Sequence, residues 1–218
     1  MCFQPSLVRL AAVAAILCLS VPGISSPAGA GTITDPANDF IPTFAGTHDG
    51  SLDVLSLSAS FDGTSFHIRA TENGNIAAFP TGLFVIGFNR GAATSNFAAI
   101  GLPGVVFDSV ITLTSGGVLG GRDLVSNTAI VLPSSNAVIS GSTFTIDIPL
   151  SALPSKGLVP TDYGVNLWPR DSSVAAGITQ IADFAPNATD LPVPEPVSLS
   201  LLATGLLGLG FAKRRRGA

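Results

Sequence analysis

Acidic and amide side chains concentrate near the start of the chain, after a short opening segment. Four carboxylates fall within nineteen residues, in a group that comprises Asp35, Asn38, Asp39, His48, Asp49 and Asp53. Calcium in proteins takes about six to eight oxygen ligands, and Asp35, Asp39 and Asp53 are the predicted calcium ligands. The alternative is ordinary turn chemistry, since Asp-Pro, Asn-Asp and Asp-Gly pairs are common in turns. The spacing does not match an EF-hand loop.

The single tryptophan offers a second kind of chemistry. Trp168 lies in the segment Asn166-Leu-Trp-Pro-Arg-Asp171. An exposed indole beside amide, guanidinium and carboxylate groups would stack on a pyranose ring and hydrogen-bond its hydroxyls. Trp168 is therefore a candidate sugar-binding residue. The alternative is a core or rim position, because tryptophan is highly buried on average.

Catalytic chemistry has few residues available to it. His48 and His67 are the only histidines, and both cysteines, Cys2 and Cys18, lie in a segment that we expect to be removed. The sequence contains no zinc-binding histidine spacing, Gly-x-Ser-x-Gly elbow or phosphate-binding glycine loop. We therefore expect a protein that is not an enzyme.

The charge of the body of the chain also limits its partners. Residues 31–192 carry thirteen acidic and five basic side chains, a formal charge of −8. Nucleic-acid-binding proteins present clustered Lys and Arg to phosphates, so we expect no nucleic-acid partner. The segment is nevertheless too apolar to be disordered.

Alternating apolar and polar residues predict short strands throughout the body, residues 31–185. The predicted strands are 51–61, 65–71, 83–88, 105–114, 124–132, 138–142 leading into 143–148, 163–168 and 178–184. Along 51–61, alternate residues from Asp53 to Phe61 are expected on one face, and 83–88 is expected to be buried on both faces. No long helical stripe occurs, so we predict an all-β fold, a β-sandwich of about eight or nine strands.

Residues 1–30 have the features of a signal peptide. Leu10–Leu19 is an apolar run of about ten residues, the length of a signal-peptide core. Ala28 and Ala30 supply the small side chains that signal peptidase requires, which predicts cleavage after Ala30. We therefore expect export from the cytoplasm.

The carboxyl-terminal residues 193–216 combine three features in order. These are the motif Val193, Pro194, Glu195 and Pro196, the apolar span 197–212, and the cations Lys213, Arg214, Arg215 and Arg216. The span would measure about 24 Å as a helix, short of a hydrocarbon core of about 30 Å. The terminal cations are expected on the cytoplasmic side. Residues 186–192 are expected to form an extended linker between the body and this tail.

The three parts of the tail together resemble the PEP-CTERM sorting signal of Gram-negative bacteria. The resemblance implies that a membrane enzyme of the exosortase type recognises the Pro-Glu-Pro motif. It also implies an intermediate held transiently in the inner membrane, followed by delivery to the cell surface or the extracellular matrix. Exosortases are associated with export of extracellular polysaccharide, which the resemblance makes a possible partner.

The body is similar to the sandwich of family 9 carbohydrate-binding modules and the related DOMON domains. The residues that carry the similarity are Asp35–Asp39, Leu52–Leu55, Phe61–Gly63 and Phe144–Pro149. The similarity implies a β-sandwich with a structural calcium near the first loop. It also keeps a second role open, that of a carbohydrate-binding module acting on extracellular polysaccharide.

Overall fold

The computed structural model describes residues 30–194, and within them the chain folds into short strands. The strands are β1 Gly31–Thr34, β2 Val54–Phe61, β3 Ser65–Glu72, β4 Gly82–Asn89, β5 Ser95–Phe97, β6 Leu102–Phe107, β7 Ser109–Thr114, β8 Leu119–Asp123, β9 Thr128–Ile130, β10 Ala137–Ser140, β11 Thr143–Pro149, β12 Gly164–Asp171 and β13 Leu191–Pro192. Their pairings are all antiparallel. The all-β prediction is confirmed, with more and shorter strands than the eight or nine expected.

The helices of the described residues are all single 3₁₀ turns. They are Gly50–Leu52, Ile76–Ala78, Ala98–Ile100, Ser134–Asn136, Leu150–Ala152, Pro160–Asp162 and Ile178–Gln180. Between residues 30 and 194, no helix has the length and apolar character needed to cross a membrane. The predicted signal peptide up to Gly29, the motif residues Glu195 and Pro196, the apolar span 197–212 and the terminal cations lie outside the described residues.

Two large sheets pack face to face in a sandwich-like arrangement. The strand orders are β1-β2-β3-β11-β10 in the five-stranded sheet and β13-β12-β4-β7-β8-β9 in the six-stranded sheet, while β5 and β6 form a separate hairpin. Aromatic pairs join the inner faces: the ring centroids of Phe66 and Phe88 are 5.7 Å apart, and those of Phe84 and Phe144 are 5.2 Å apart. These contacts form the main core between the sheets.

The inward faces of the central strands follow from their alternating sequences. Phe66, Ile68 and Ala70 of β3 are buried, as are alternate residues of β11. Strand β4 is buried on both faces from Phe84 to Phe88, as its continuous apolar run predicts. Each fully buried large apolar side chain contributes about 1.5–3 kcal/mol, so these strands supply much of the stability.

A β-bulge in β2 changes the face that was expected for its first residues. The pairing with β3 shifts between Val54 and Ser56, which leaves Leu55 as the extra residue. Val54 is therefore buried and Leu55 is only partly buried. A bulge also re-aims neighbouring groups, and at this bulge the N–H of Val54 donates to Oδ2 of Asp183 at 2.8 Å.

Three predicted strands are divided or replaced in the structure. The segment 105–114 breaks at the buried Asp108 into β6 and β7, because the carboxylate of Asp108 accepts backbone hydrogen bonds from Arg90 and Ala92. The segment 124–132 begins with a turn in which Asp123 accepts the N–H groups of Val125 and Ser126, so β8 ends before the segment and only β9 lies within it. The segment 178–184 contains a 3₁₀ turn and one isolated bridge, at Ile181, instead of a strand.

The segment 186–192, where the sequence predicted a separating linker, packs onto the domain. Its last residues form β13, which pairs with β12 at the edge of the six-stranded sheet. Val193 follows with none of its surface exposed. Two apolar side chains, Leu191 and Val193, fill this edge of the core, which explains why the segment does not stand free.

Candidate metal centre

Three carboxylates from distant parts of the chain meet beside the opening loop. Asp35 and Asp39 lie in the loop after β1, and Asp183 lies in the segment that follows β12. Each offers an oxygen atom within 4.8 Å of the others. The structure thus brings together two of the three predicted ligands and adds one that the sequence did not indicate.

Asp53, the third predicted ligand, supports the loop instead. Its two carboxylate oxygens accept the backbone N–H of Asn38 at 3.0 and 2.9 Å, and one also accepts Nδ2 of Asn73 at 2.9 Å. Asn38 has a φ of 66°, a left-handed conformation that asparagine tolerates better than most residues. Asp53 therefore positions the loop and adds negative charge, and we correct its predicted role as a ligand.

Several oxygens of the centre lack a donor. Asn187 donates through Nδ2 to Oδ1 of Asp35 at 3.0 Å and to Oδ2 of Asp39 at 3.1 Å. The other oxygens, Oδ2 of Asp35 and Oδ1 of Asp39, are buried without a hydrogen-bond partner. No salt bridge within residues 30–194 reaches the three carboxylates. Because buried unpaired acceptors are costly, this arrangement calls for a cation.

A fourth carboxyl group, that of Glu72, lies within electrostatic reach of the centre. Glu72 ends β3 opposite Val54, is 1% exposed, and has no hydrogen-bond partner on either carboxyl oxygen. Burial raises its pKa well above the ordinary value, and the nearby charges of Asp183 and Asp53 raise it further. The raised pKa favours the neutral form of Glu72, so Glu72 adds no charge to the centre but responds to the negative charge of Asp183 and Asp53.

The same forces act on the carboxylates of the centre itself. Burial, followed by the charges of Asp39 and Asp53, raises the pKa of Asp35 to about 7. Burial also raises the pKa of Asp183 to about 8, with the charges of Asp35 and Asp39 adding to the effect against opposing backbone hydrogen bonds. A bound cation would lower these pKa values, because it favours the ionised carboxylates.

The donor set identifies the class of cation. All three groups offer hard carboxylate oxygens, which suit calcium and magnesium better than zinc or copper. Asp183 is oriented by the backbone N–H of Val54, 2.8 Å from Oδ2, and by that of Phe184, 2.7 Å from Oδ1. Asp35, Asp39 and Asp183 would hold the ion, with calcium favoured because a loop supplies flexible oxygen ligands.

Asp183 escaped the sequence analysis because it lies 144 residues beyond Asp39. Chain proximity reveals a cluster only when its members share one loop. The available signal was a lone aspartate in the apolar run Ile181-Ala-Asp-Phe-Ala185, where a charged residue needs a partner to be buried.

The remaining polar residues of the opening group lie apart from the centre. His48 stacks on Phe40, with ring centroids 4.4 Å apart, and on Phe44 at 5.7 Å. Asp49 caps the first 3₁₀ turn by accepting the N–H of Ser51 at 2.9 Å. The turn-chemistry alternative therefore holds for Asp49.

The metal-free protein is expected to lose stability as the pH rises from about 4 to about 8. The pKa values of Asp35 and Asp183 lie above the unfolded value of 3.8, so the folded state binds more protons than the unfolded state in this window. The stabilisation that these two groups give the folded state is fully present below pH 3.8 and is lost as the pH rises through their folded pKa values of about 7 and 8. Urea unfolding with a chelator at pH 5 and pH 8 measures the slope, and Asp183→Asn should flatten it. A free energy of unfolding that increases across this window would contradict the expectation.

The sugar-stacking role predicted for Trp168 is wrong. Its side chain is 2% exposed and packs against Phe97, Phe107 and Phe184, with ring centroids 5.1, 4.9 and 6.2 Å away. These residues cover the outer face of the six-stranded sheet in a second core. A Cβ on Gly87 would lie 2.4 Å from the indole ring, so the ring occupies space that only glycine leaves free. The buried alternative is the correct one.

No protein-family model matches the chain, and no sequence among the curated proteins matches it.

Proposed function

We propose that this protein is an exported, non-enzymatic surface protein whose all-β domain is stabilised by calcium. The observation that carries the proposal is the meeting of Asp35, Asp39 and Asp183 within 4.8 Å without a salt-bridge partner among the described residues. Extracellular calcium sites work at calcium concentrations of about 10⁻⁴–10⁻³ M. Such a site suits a domain that functions outside the cell and binds its ion after export.

The destination of the protein follows from its two ends. We propose that an exosortase-type enzyme sorts it through Val193–Pro196 from an inner-membrane intermediate to the cell surface or the extracellular matrix. The order of motif, apolar span and cations supports this route. A Cβ built on Gly31 would lie 2.3 Å from the carbonyl oxygen of Pro192, so the first and last described residues of the domain lie side by side.

The histidines support a role without catalysis. Both ring nitrogens of His67 are engaged, Nδ1 with Asp147 at 2.7 Å and Nε2 with Asp62 at 3.0 Å. Two acidic partners favour the imidazolium form, which cannot act as a general base. The carbohydrate-binding alternative rested on the similarity of the body and on Trp168, and the burial of Trp168 leaves that alternative without its stacking residue.

Replacing Pro194, Glu195 and Pro196 with alanine in the full chain tests the sorting role. In a host that contains an exosortase-type enzyme, the variant should accumulate in the inner membrane and retain Lys213–Arg216, as measured by fractionation and mass spectrometry. Alanines at Pro133, Ser134 and Ser135, in an exposed turn, provide the control and should leave processing unchanged. Wild-type processing of the Pro194–Pro196 variant would refute the proposal.

A further inference from the structure

The first half of the sorting motif lies inside the folded domain. Val193 has no exposed surface, and its N–H donates to the carbonyl oxygen of Tyr163 at 3.0 Å. The carbonyl oxygen of Pro194 accepts the N–H of Phe61 at 3.3 Å. The backbone on both sides of the Val193–Pro194 bond is thus hydrogen-bonded, on one side to Tyr163 just before β12 and on the other to Phe61 of β2.

These two residues end a longer segment that is fixed along its length. We name residues 183–194 the closing strap. Ala185 exchanges backbone hydrogen bonds of 2.8 and 2.9 Å with Leu167, and Leu191 pairs with Val165 in β12. The strap therefore pairs with β12 at Ala185 and again at Leu191 before it reaches the motif.

One buried amide side chain holds the middle of the closing strap. Asn166 is 1% exposed, and its Nδ2 donates to the carbonyl oxygens of Pro186 at 2.7 Å and Thr189 at 2.9 Å. On the other side of the strap, Asp190 accepts the N–H of Val106 at 3.3 Å. Among the described residues, no hydrogen bond joins Asn166 to Val193 or Pro194, so Asn166 offers a means to loosen the strap without changing the motif residues.

Gly31 completes the enclosure of the motif. A Cβ at this position would lie 3.2 Å from Cδ of Pro194 as well as against the carbonyl oxygen of Pro192. Glycine therefore lets β1 approach the end of the strap closely. The start of the predicted mature chain thus covers the residues that a sorting enzyme has to reach.

We propose that the closing strap latches the sorting motif, so that the processing enzyme acts only on an open form in which residues 190–194 have left the sheet edge. This inference rests on the proposed sorting role of Val193–Pro196. An enzyme that recognises an extended segment needs its backbone and side chains free, whereas Val193 is buried and hydrogen-bonded in the closed form. The population of the open form then reduces the apparent affinity of the enzyme for its substrate. The strap, and not the motif alone, sets the rate of processing.

Processing of the full chain in membranes that contain an exosortase-type enzyme tests the latch. Asn166→Ala removes two hydrogen bonds from the strap and should increase the initial rate of processing at least threefold. Asn136→Ala is the matched control, because Asn136 donates a similar bond to the carbonyl oxygen of Asp147, in the five-stranded sheet. Asn136→Ala should be processed at the wild-type rate. An equal rate for Asn166→Ala and wild type, with Asn166→Ala shown to be folded, would overturn the latch.

Hydrogen exchange of the wild-type full chain in detergent gives a second reading that requires no variant. The amides of Val193 and Phe61 should exchange at least tenfold more slowly than their intrinsic rates. Exchange at the intrinsic rate would overturn the inference, even where Asn166→Ala fails to fold. Glu195→Ala separates the two proposals. If Glu195→Ala is processed normally, the sorting role fails. If Glu195→Ala is not processed while Asn166→Ala is processed at the wild-type rate, only the latch is rejected.

Discussion

Calcium added to the metal-free protein is expected to raise its unfolding temperature by about 5–10 °C. Free calcium at 100 times the dissociation constant stabilises a folded state by about 2.7 kcal/mol, and each kcal/mol shifts the transition of a domain of this size by about 2–4 °C. The ion would neutralise Asp35, Asp39 and Asp183, whose charges repel one another in its absence. Scanning calorimetry with calcium and with a chelator measures the shift.

Asp183→Asn should abolish this response to calcium. The substitution keeps the shape of the side chain but removes one of three charges, and hard cations bind through charged oxygens. The metal-free variant loses one repulsive charge, but it also leaves one of the buried N–H groups of Val54 and Phe184 without an acceptor, so the test is the response to calcium and not the absolute stability. Asp49→Asn is the control, since Asp49 lies in the same region as a capping residue and should keep the full shift. An unfolding temperature that calcium leaves unchanged in wild type contradicts the metal centre.

Arg90→Met is expected to reduce the free energy of unfolding by about 3–5 kcal/mol, the usual effect of breaking a buried ion pair from one side. Arg90 is completely buried, with Nε 2.6 Å from Oδ1 of Asp108 and Nη2 2.9 Å from Oδ2 of Asp123. Its removal leaves the buried Asp108 without a cation. Lys156, with Nζ 3.4 Å from Oδ2 of Asp123, compensates only the second acid.

Arg122→Met is the matched control for this prediction. The Arg122 guanidinium is exposed and donates to Oδ1 of Asn127 at 2.6 and 2.8 Å. Surface substitutions of this kind usually change stability by less than about 0.5 kcal/mol. Urea denaturation of both variants gives the comparison, and a loss below 1 kcal/mol for Arg90→Met would show that the buried pair contributes little.

The faces of the central strands were predictable because each strand carries its own pattern. Phe66, Ile68 and Ala70 are buried wherever the partner strands come from, since a half-buried strand exposes every second residue. The same logic failed at Leu55, where an extra residue in β2 shifts the pairing with β3. A bulge depends on the partner strand, so a single strand's sequence does not reveal it.

The candidate site was only half predictable. Asp35 and Asp39 share one loop, so their spacing alone indicated a possible metal site. Asp183 joins them because β12 and the closing strap return the chain to β1, a consequence of sheet topology. Trp168 shows the converse: its neighbours along the chain suggested an exposed sugar-binding residue, but in the structure Phe97 and Phe184 pack against it.

By itself, the sequence determined the all-β class, the inward faces of the regular strands, the acidic opening loop and the order of features in the tail. These are local properties, set by side-chain periodicity and by neighbours along the chain. Tertiary structure alone decided that Asp183 completes the carboxylate centre, that Trp168 is buried, and that Val193 is part of the core. The physical reason is the same in each case: burial and charge depend on which distant segments the fold brings within a few ångströms.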